Sequence, residues 1–200
     1  MYTKLKESYK KAFGTINNIK KIILFVALLY LIFFIGSLFY FDYAYKNDTE
    51  NRGIVKSFEE DYGELPVASS TKFFGIFMEV FLWNSFSMLI IILIGPLFGI
   101  LPVLIIISAS IYHGFAMIFT SQNSGIIIHI LYKYGHGFLE IPAFILSVSL
   151  SIVTFFSFFK SNSKMKKIME VYKQSILVYL FVILPLLLIA SLIEAFILSY

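Results

Sequence analysis

The sequence contains no cysteine. That absence excludes a disulfide framework, a thiol nucleophile and any cysteine-ligated metal or iron–sulfur centre. Charge is scarce as well: Asp, Glu, Lys and Arg make up 14% of the chain, and none of them occurs between Val80 and Tyr132. A bilayer core of about 30 Å takes roughly 20 apolar residues to cross, so this run is long enough for more than one crossing. What fills the space is 59% hydrophobic and 18% aromatic residues, with a mean hydropathy of +0.86. The composition is that of an all-α, polytopic transmembrane bundle and excludes a soluble globular domain.

The few charges are unevenly placed. Residues 1–21 carry Lys4, Lys6, Lys10, Lys11, Lys20 and Lys21 against Glu7, residues 42–64 are net acidic, and residues 160–173 are net basic again. Short cytoplasmic segments collect Lys and Arg, so the N-terminus and the 160–173 loop are expected inside and the acidic 42–72 segment outside. The run at 22–41 is too long for a signal-peptide core and lacks a small-residue cleavage site, so it reads as a retained signal anchor. The stretch 74–119 exceeds one span and is punctuated by "GPLFGILP" at 95–102, whose glycines and prolines break helices. Spans are therefore expected at 22–41, 74–96, 99–119, 137–159 and 175–199, with a re-entrant or interfacial piece at 126–134. The organisation is a basic cytoplasmic segment (1–21), an anchor (22–41), an external loop (42–72) and a four-span domain (73–200). "NDT" at 47–49 is a glycosylation sequon in the segment placed outside.

With that topology, the polar intramembrane residues fall in one layer. At about 1.5 Å per residue, Glu79 lies about 8 Å and Asn84 about 15 Å below the outer end of their span. His113, His136, Glu140 and Glu194 lie in the outer halves of theirs. Isolated carboxylates facing lipid are costly, so these groups are expected to face one another. His136 and Glu140 are four apart, on one face of a helix, and Ala143, Ser147 and Ser151 continue that face as a small-residue ridge suited to close packing. Pro142 leaves the carbonyl of Phe138 without a donor, and Gly135 and Gly137 flank His136, so a loop leading into a short or broken helix is expected here. Plainer readings exist for several of these: interfacial placement for Glu79, Glu194 and His129, a helix–helix hydrogen bond for Asn84, and simple packing for His113.

"GHGFLEIPAFILS" resembles the HG-x-x-E-(L/I)-x-A element of the stage II sporulation protein M family of small multi-span membrane proteins. Asn84 in "WNSFSMLIIILIGPLFGILP" and Glu194 in "LIASLIEAFILSY" agree with the same resemblance. The chain departs from it at Ser85, where a second Asn is frequent, and at His113-Gly114, where Asn-Gly is usual. The resemblance implies a scaffold: the sporulation member is similar to one that acts with a peptidoglycan hydrolase and a partner during engulfment.

Three functions follow. The favoured one is a non-enzymatic scaffold or assembly component of an envelope or membrane-remodelling complex, with the lipid bilayer and other membrane or envelope proteins as partners. GPLFG offers a small-xxx-small contact for a homodimer. A proton- or cation-coupled transporter is the second, on the strength of embedded carboxylates and broken helices. An intramembrane metal-dependent hydrolase using His136, Glu140 and His113 is the third, although no H-E-x-x-H or G-x-S-x-G motif is present. No catalytic residue can be assigned, no cofactor is expected, and the basic N-terminus suits anionic lipid better than nucleic acid. That N-terminus is expected to form an amphipathic helix.

Overall fold

The computed structural model describes residues 2–47, 72–121, 135, 137–159 and 165–199. All regular structure among them is helical: α1 (Tyr2–Asn18), α2 (Lys20–Asn47), α3 (Phe73–Leu93), α4 (Leu101–Ser121), α5 (Gly137–Phe159), α6 (Met165–Val178) and α7 (Leu184–Ser199). A single 3-10 turn, Gly95–Leu97, joins α3 to α4, and a π-helical turn, Tyr179–Ile183, joins α6 to α7. Five helical stretches are long and apolar enough to span a membrane: Lys20–Ala44, Phe73–Leu97, Leu101–Ile118, Gly137–Phe159 and Met165–Ser199. They match the five expected spans in number and order, the last one beginning ten residues earlier, at Met165. The expected re-entrant or interfacial piece at 126–134, His129, His136 and most of the external loop lie outside the described residues.

The fourth span, α5, is the core. Every residue from Leu146 to Ile152 is buried, which a helix achieves only when neighbours cover it on all sides. It touches α2, α3, α4, α6 and α7. Apart from Ser151, whose buried hydroxyl has no partner among the described residues, its buried hydroxyl groups bond within the helix: Ser147 donates to the Ala143 carbonyl at 2.9 Å, Ser149 to Ile145 at 2.7 Å and Thr154 to Leu150 at 2.8 Å. Each side chain then presents little more than a small apolar surface, so neighbouring helices approach closely. Ala143, Ser147 and Ser151 are all buried, so the predicted ridge does face inward.

Two apolar clusters surround α5. One joins Met88 and Ile92 of α3, Leu146 and Leu150 of α5, Val178 of α6, Tyr179 and Ile183 of the π turn, and Leu187 of α7. The other joins Val26 and Tyr30 of α2, Ile106 of α4, and Val148 and Ile152 of α5. Buried Ala12 and Ile19 place the N-terminal helix in the first cluster.

Glycine and proline set the joints. Gly99 has φ +58, a left-handed conformation that costs an ordinary residue about 1–2 kcal/mol. A Cβ there would also lie 2.5 Å from the ring of Phe155. A Cβ on Gly95 would collide with the Ser151 hydroxyl. The GPLFG glycines therefore pack against α5 within the chain. At Pro142 the helix runs on without a break. The residue is the sixth of α5, so one lost hydrogen bond near the helix start is the main consequence. A turn at Gly135 leads into a helix that begins at Gly137.

The π turn has a similar cause. Pro185 has no N–H and its ring would crowd the carbonyl of Phe181 four residues earlier. Just before it, the Leu184 N–H reaches back five residues to Tyr179, and the wider turn absorbs the conflict. This feature was not foreseen, although a proline inside the last apolar run was the available signal.

Candidate functional site

Asn84, Glu140 and Glu194 come from three different spans, α3, α5 and α7. The Asn84 Nδ2 donates to Glu140 Oε1 at 2.6 Å. Glu194 lies close enough to Glu140 for their charges to interact. All three side chains are half-buried. A carboxylate can only accept, so the amide of Asn84 supplies what the surrounding apolar residues cannot. In a low-dielectric setting this bond is short and valuable. Two neighbouring carboxylates repel if both are ionised.

Local sequence explains the placement. Glu140 sits in the first turn of α5, where the free N–H groups of a helix start favour negative charge. Asn84 is in the middle of α3, next to Ser85, whose carbonyl accepts a hydrogen bond from the Tyr179 hydroxyl at 3.0 Å. The π turn is thus tied to α3 one residue from the site. The hydroxyl groups of Ser85 and Ser191 are buried without a hydrogen-bond partner among the described residues. Ser191 lies three residues before Glu194, on the same side of α7.

The other expected members are separated from this group or lie beyond view. His113 of α4 forms a hydrogen bond through Nδ1 with the Tyr30 hydroxyl of α2 at 2.8 Å. Beside it, a Cβ on Gly114 would collide with the Ser37 hydroxyl and lie 2.9 Å from the Phe34 carbonyl. α2 and α4 therefore pack backbone to backbone, and His113 belongs to their seam. Glu79 precedes Asn84 on α3 by five residues, which turns it about 140° around the helix axis. It is half-buried. Among the described residues no three His, Asp or Glu side chains assemble into a metal-binding group.

Three tyrosine contacts escaped the sequence reading: Tyr30 to His113, Tyr179 to Ser85, and Tyr172 to the Leu93 carbonyl at 3.1 Å. A tyrosine buried in an apolar span must bring a partner for its hydroxyl, which was the signal to follow.

No curated protein and no solved structure matches the chain. The model of one protein family, stage II sporulation protein M, matches residues 22–198. That match takes in all five spans and the Asn84, Glu140 and Glu194 group, and the chain belongs to the stage II sporulation protein M family.

Proposed function

We propose that this integral membrane protein is a scaffold or assembly component of an envelope or membrane-remodelling complex. It sits in the cell membrane with its N-terminus cytoplasmic. Asn84, Glu140 and Glu194 form the centre of a polar layer near the outer leaflet, with Glu79, His113 and His136 contributing at its margins. The observation that carries this reading is the Asn84–Glu140 hydrogen bond across two spans, with Glu194 of a third beside it. Such a group fixes the mutual position of helices and offers partly exposed polar atoms to a partner helix or lipid headgroup. Toward the other end the core is apolar: Met88, Ile92, Leu150, Val178 and Ile183 close around one another. A scaffold is compatible with that closure, whereas a single-protomer pathway for ions is not.

Because the chain lacks cysteine, a single cysteine at the exposed position of Trp83, one residue from Asn84, allows site-directed cross-linking in native membranes. The scaffold reading expects one discrete heteromeric adduct, abolished by Glu140→Ala. The transport reading rests on the paired carboxylates and expects proton or cation flux by the protein reconstituted alone, abolished by Glu140→Gln. Flux of that kind without any adduct would replace the scaffold reading.

A further inference from the structure

α1 and α6, the first part of the last helical stretch, form a unit of their own. α1 and α6 are far apart in sequence but pack together, with Ala12 and Ile168 buried. α1 reaches from the foot of α2 to the last helix, where the Tyr9 ring lies 4.8 Å from that of Phe181. Packing of Ala12, Ile16 and Ile19 against the bundle uses only part of the apolar face of α1. Leu5, Tyr9 and Phe13, spaced by four on the adjoining strip, are 50%, 41% and 57% exposed. Lys6 and Lys10 border that strip, and Lys11, Lys20, Lys21, Lys166, Lys167 and Lys173 are exposed around it, against Glu7 and Glu170.

The level of this unit relative to the bilayer follows from its contacts. Tyr172 of α6 donates to the Leu93 carbonyl at the end of α3. Just past that point the α3–α4 turn carries Leu97, Phe98 and Ile100, each more than 60% exposed, and no charge. A turn so apolar avoids open water, and its non-helical backbone cannot sit exposed in the hydrocarbon core, so it belongs where acyl chains meet headgroups. The middle of α6, and with it α1, is therefore level with the boundary between acyl chains and headgroups. An apolar strip edged by lysines at that depth matches an anionic leaflet: side chains enter the acyl boundary and ammonium groups meet phosphate.

We infer that α1 and α6 together form an anionic-lipid platform, in which Leu5, Tyr9 and Phe13 insert into the leaflet and Lys6, Lys10, Lys166, Lys167 and Lys173 bind acidic headgroups. In the orientation proposed above this is the inner leaflet. The test does not depend on that orientation, because symmetric vesicles present the same lipid on both sides.

The full-length protein is reconstituted into vesicles of zwitterionic lipid alone or with about one-third anionic lipid. A spin label is attached at a single cysteine, Phe13→Cys on the strip or Gly14→Cys on the polar side. A Cβ at Gly14 meets nothing within 4 Å, so the second label leaves α1 undisturbed. With anionic lipid, the label at position 13 is expected to be accessible to oxygen and shielded from a water-soluble nickel chelate, and the label at 14 the reverse. In zwitterionic vesicles, or with Lys6→Gln and Lys10→Gln, the docked fraction falls, by about fivefold in the docked-to-undocked ratio per lysine removed. Water accessibility at both positions in both lipids would overturn the platform and leave the strip for a protein partner. Equal insertion in both lipids would overturn the role of the lysines.

Discussion

The seam between α2 and α4 and the meeting of α3, α5 and α7 are built on different physics. The first is close-packed: Gly114 lets two backbones touch, and the hydrogen bond between Tyr30 and His113 crosses it. The second holds ionisable side chains, with Asn84, Glu140 and Glu194 contributed by three helices. A seam of small residues resists any added atom but gains little from its polar pair, since interhelical hydrogen bonds in membranes average about 0.6 kcal/mol. An ionisable group among apolar helices works the other way: it tolerates changes of shape and suffers when its donor is removed. Packing positions and polar positions should therefore fail differently.

The largest effect is expected where the two regions are joined. Gly99→Ala adds a Cβ to a left-handed residue and drives it against Phe155. The expected loss is about 2–4 kcal/mol, read by thermal or steric-trap unfolding in bicelles. Phe155→Leu in the same chain should return the steric part and leave the backbone part. Next, Gly114→Ala should cost about 1–3 kcal/mol by separating α2 from α4, whereas Ala at Gly14, where nothing is near, should be neutral or slightly stabilising.

On the polar side, Asn84→Leu removes the donor to Glu140 and should destabilise by about 1–2 kcal/mol. Glu140→Gln should be milder than Glu140→Ala, because the amide still accepts from Asn84 and no longer repels Glu194. The smallest effect belongs to Tyr30→Phe, about 0.6 kcal/mol, detectable as a small shift in the same unfolding assay. A large loss from Tyr30→Phe together with indifference to Asn84→Leu would invert the contrast between the regions.

Much of the fold was legible in the sequence because membrane spans are set by length and apolarity, and lysine placement supplied a topology to examine. The break at 95–100 followed from two prolines and two glycines with no charge nearby. What escaped was the grouping of polar residues around the helix axes. Asn84, Glu140 and His113 are all expected in the outer half of the membrane, but depth does not say which side of a helix a residue occupies or which neighbour it meets. His113 therefore fell to Tyr30, a partner in a span that contains no intramembrane charge to attract notice. The π turn before Pro185 was not legible for a related reason: the last run reads as one continuous apolar span. His136 lies outside the described residues, so its pairing with Glu140 is a proposal that rests on their spacing.

The central claim is that Asn84 and Glu140 act as one unit that fixes α3 against α5. It is tested most directly by a double-mutant cycle of Asn84→Leu and Glu140→Leu on unfolding free energy in a bilayer mimic. A coupling of about 1–2 kcal/mol is predicted, larger than that between Tyr30→Phe and His113→Leu. Additivity of Asn84→Leu and Glu140→Leu to within about 0.3 kcal/mol would contradict it.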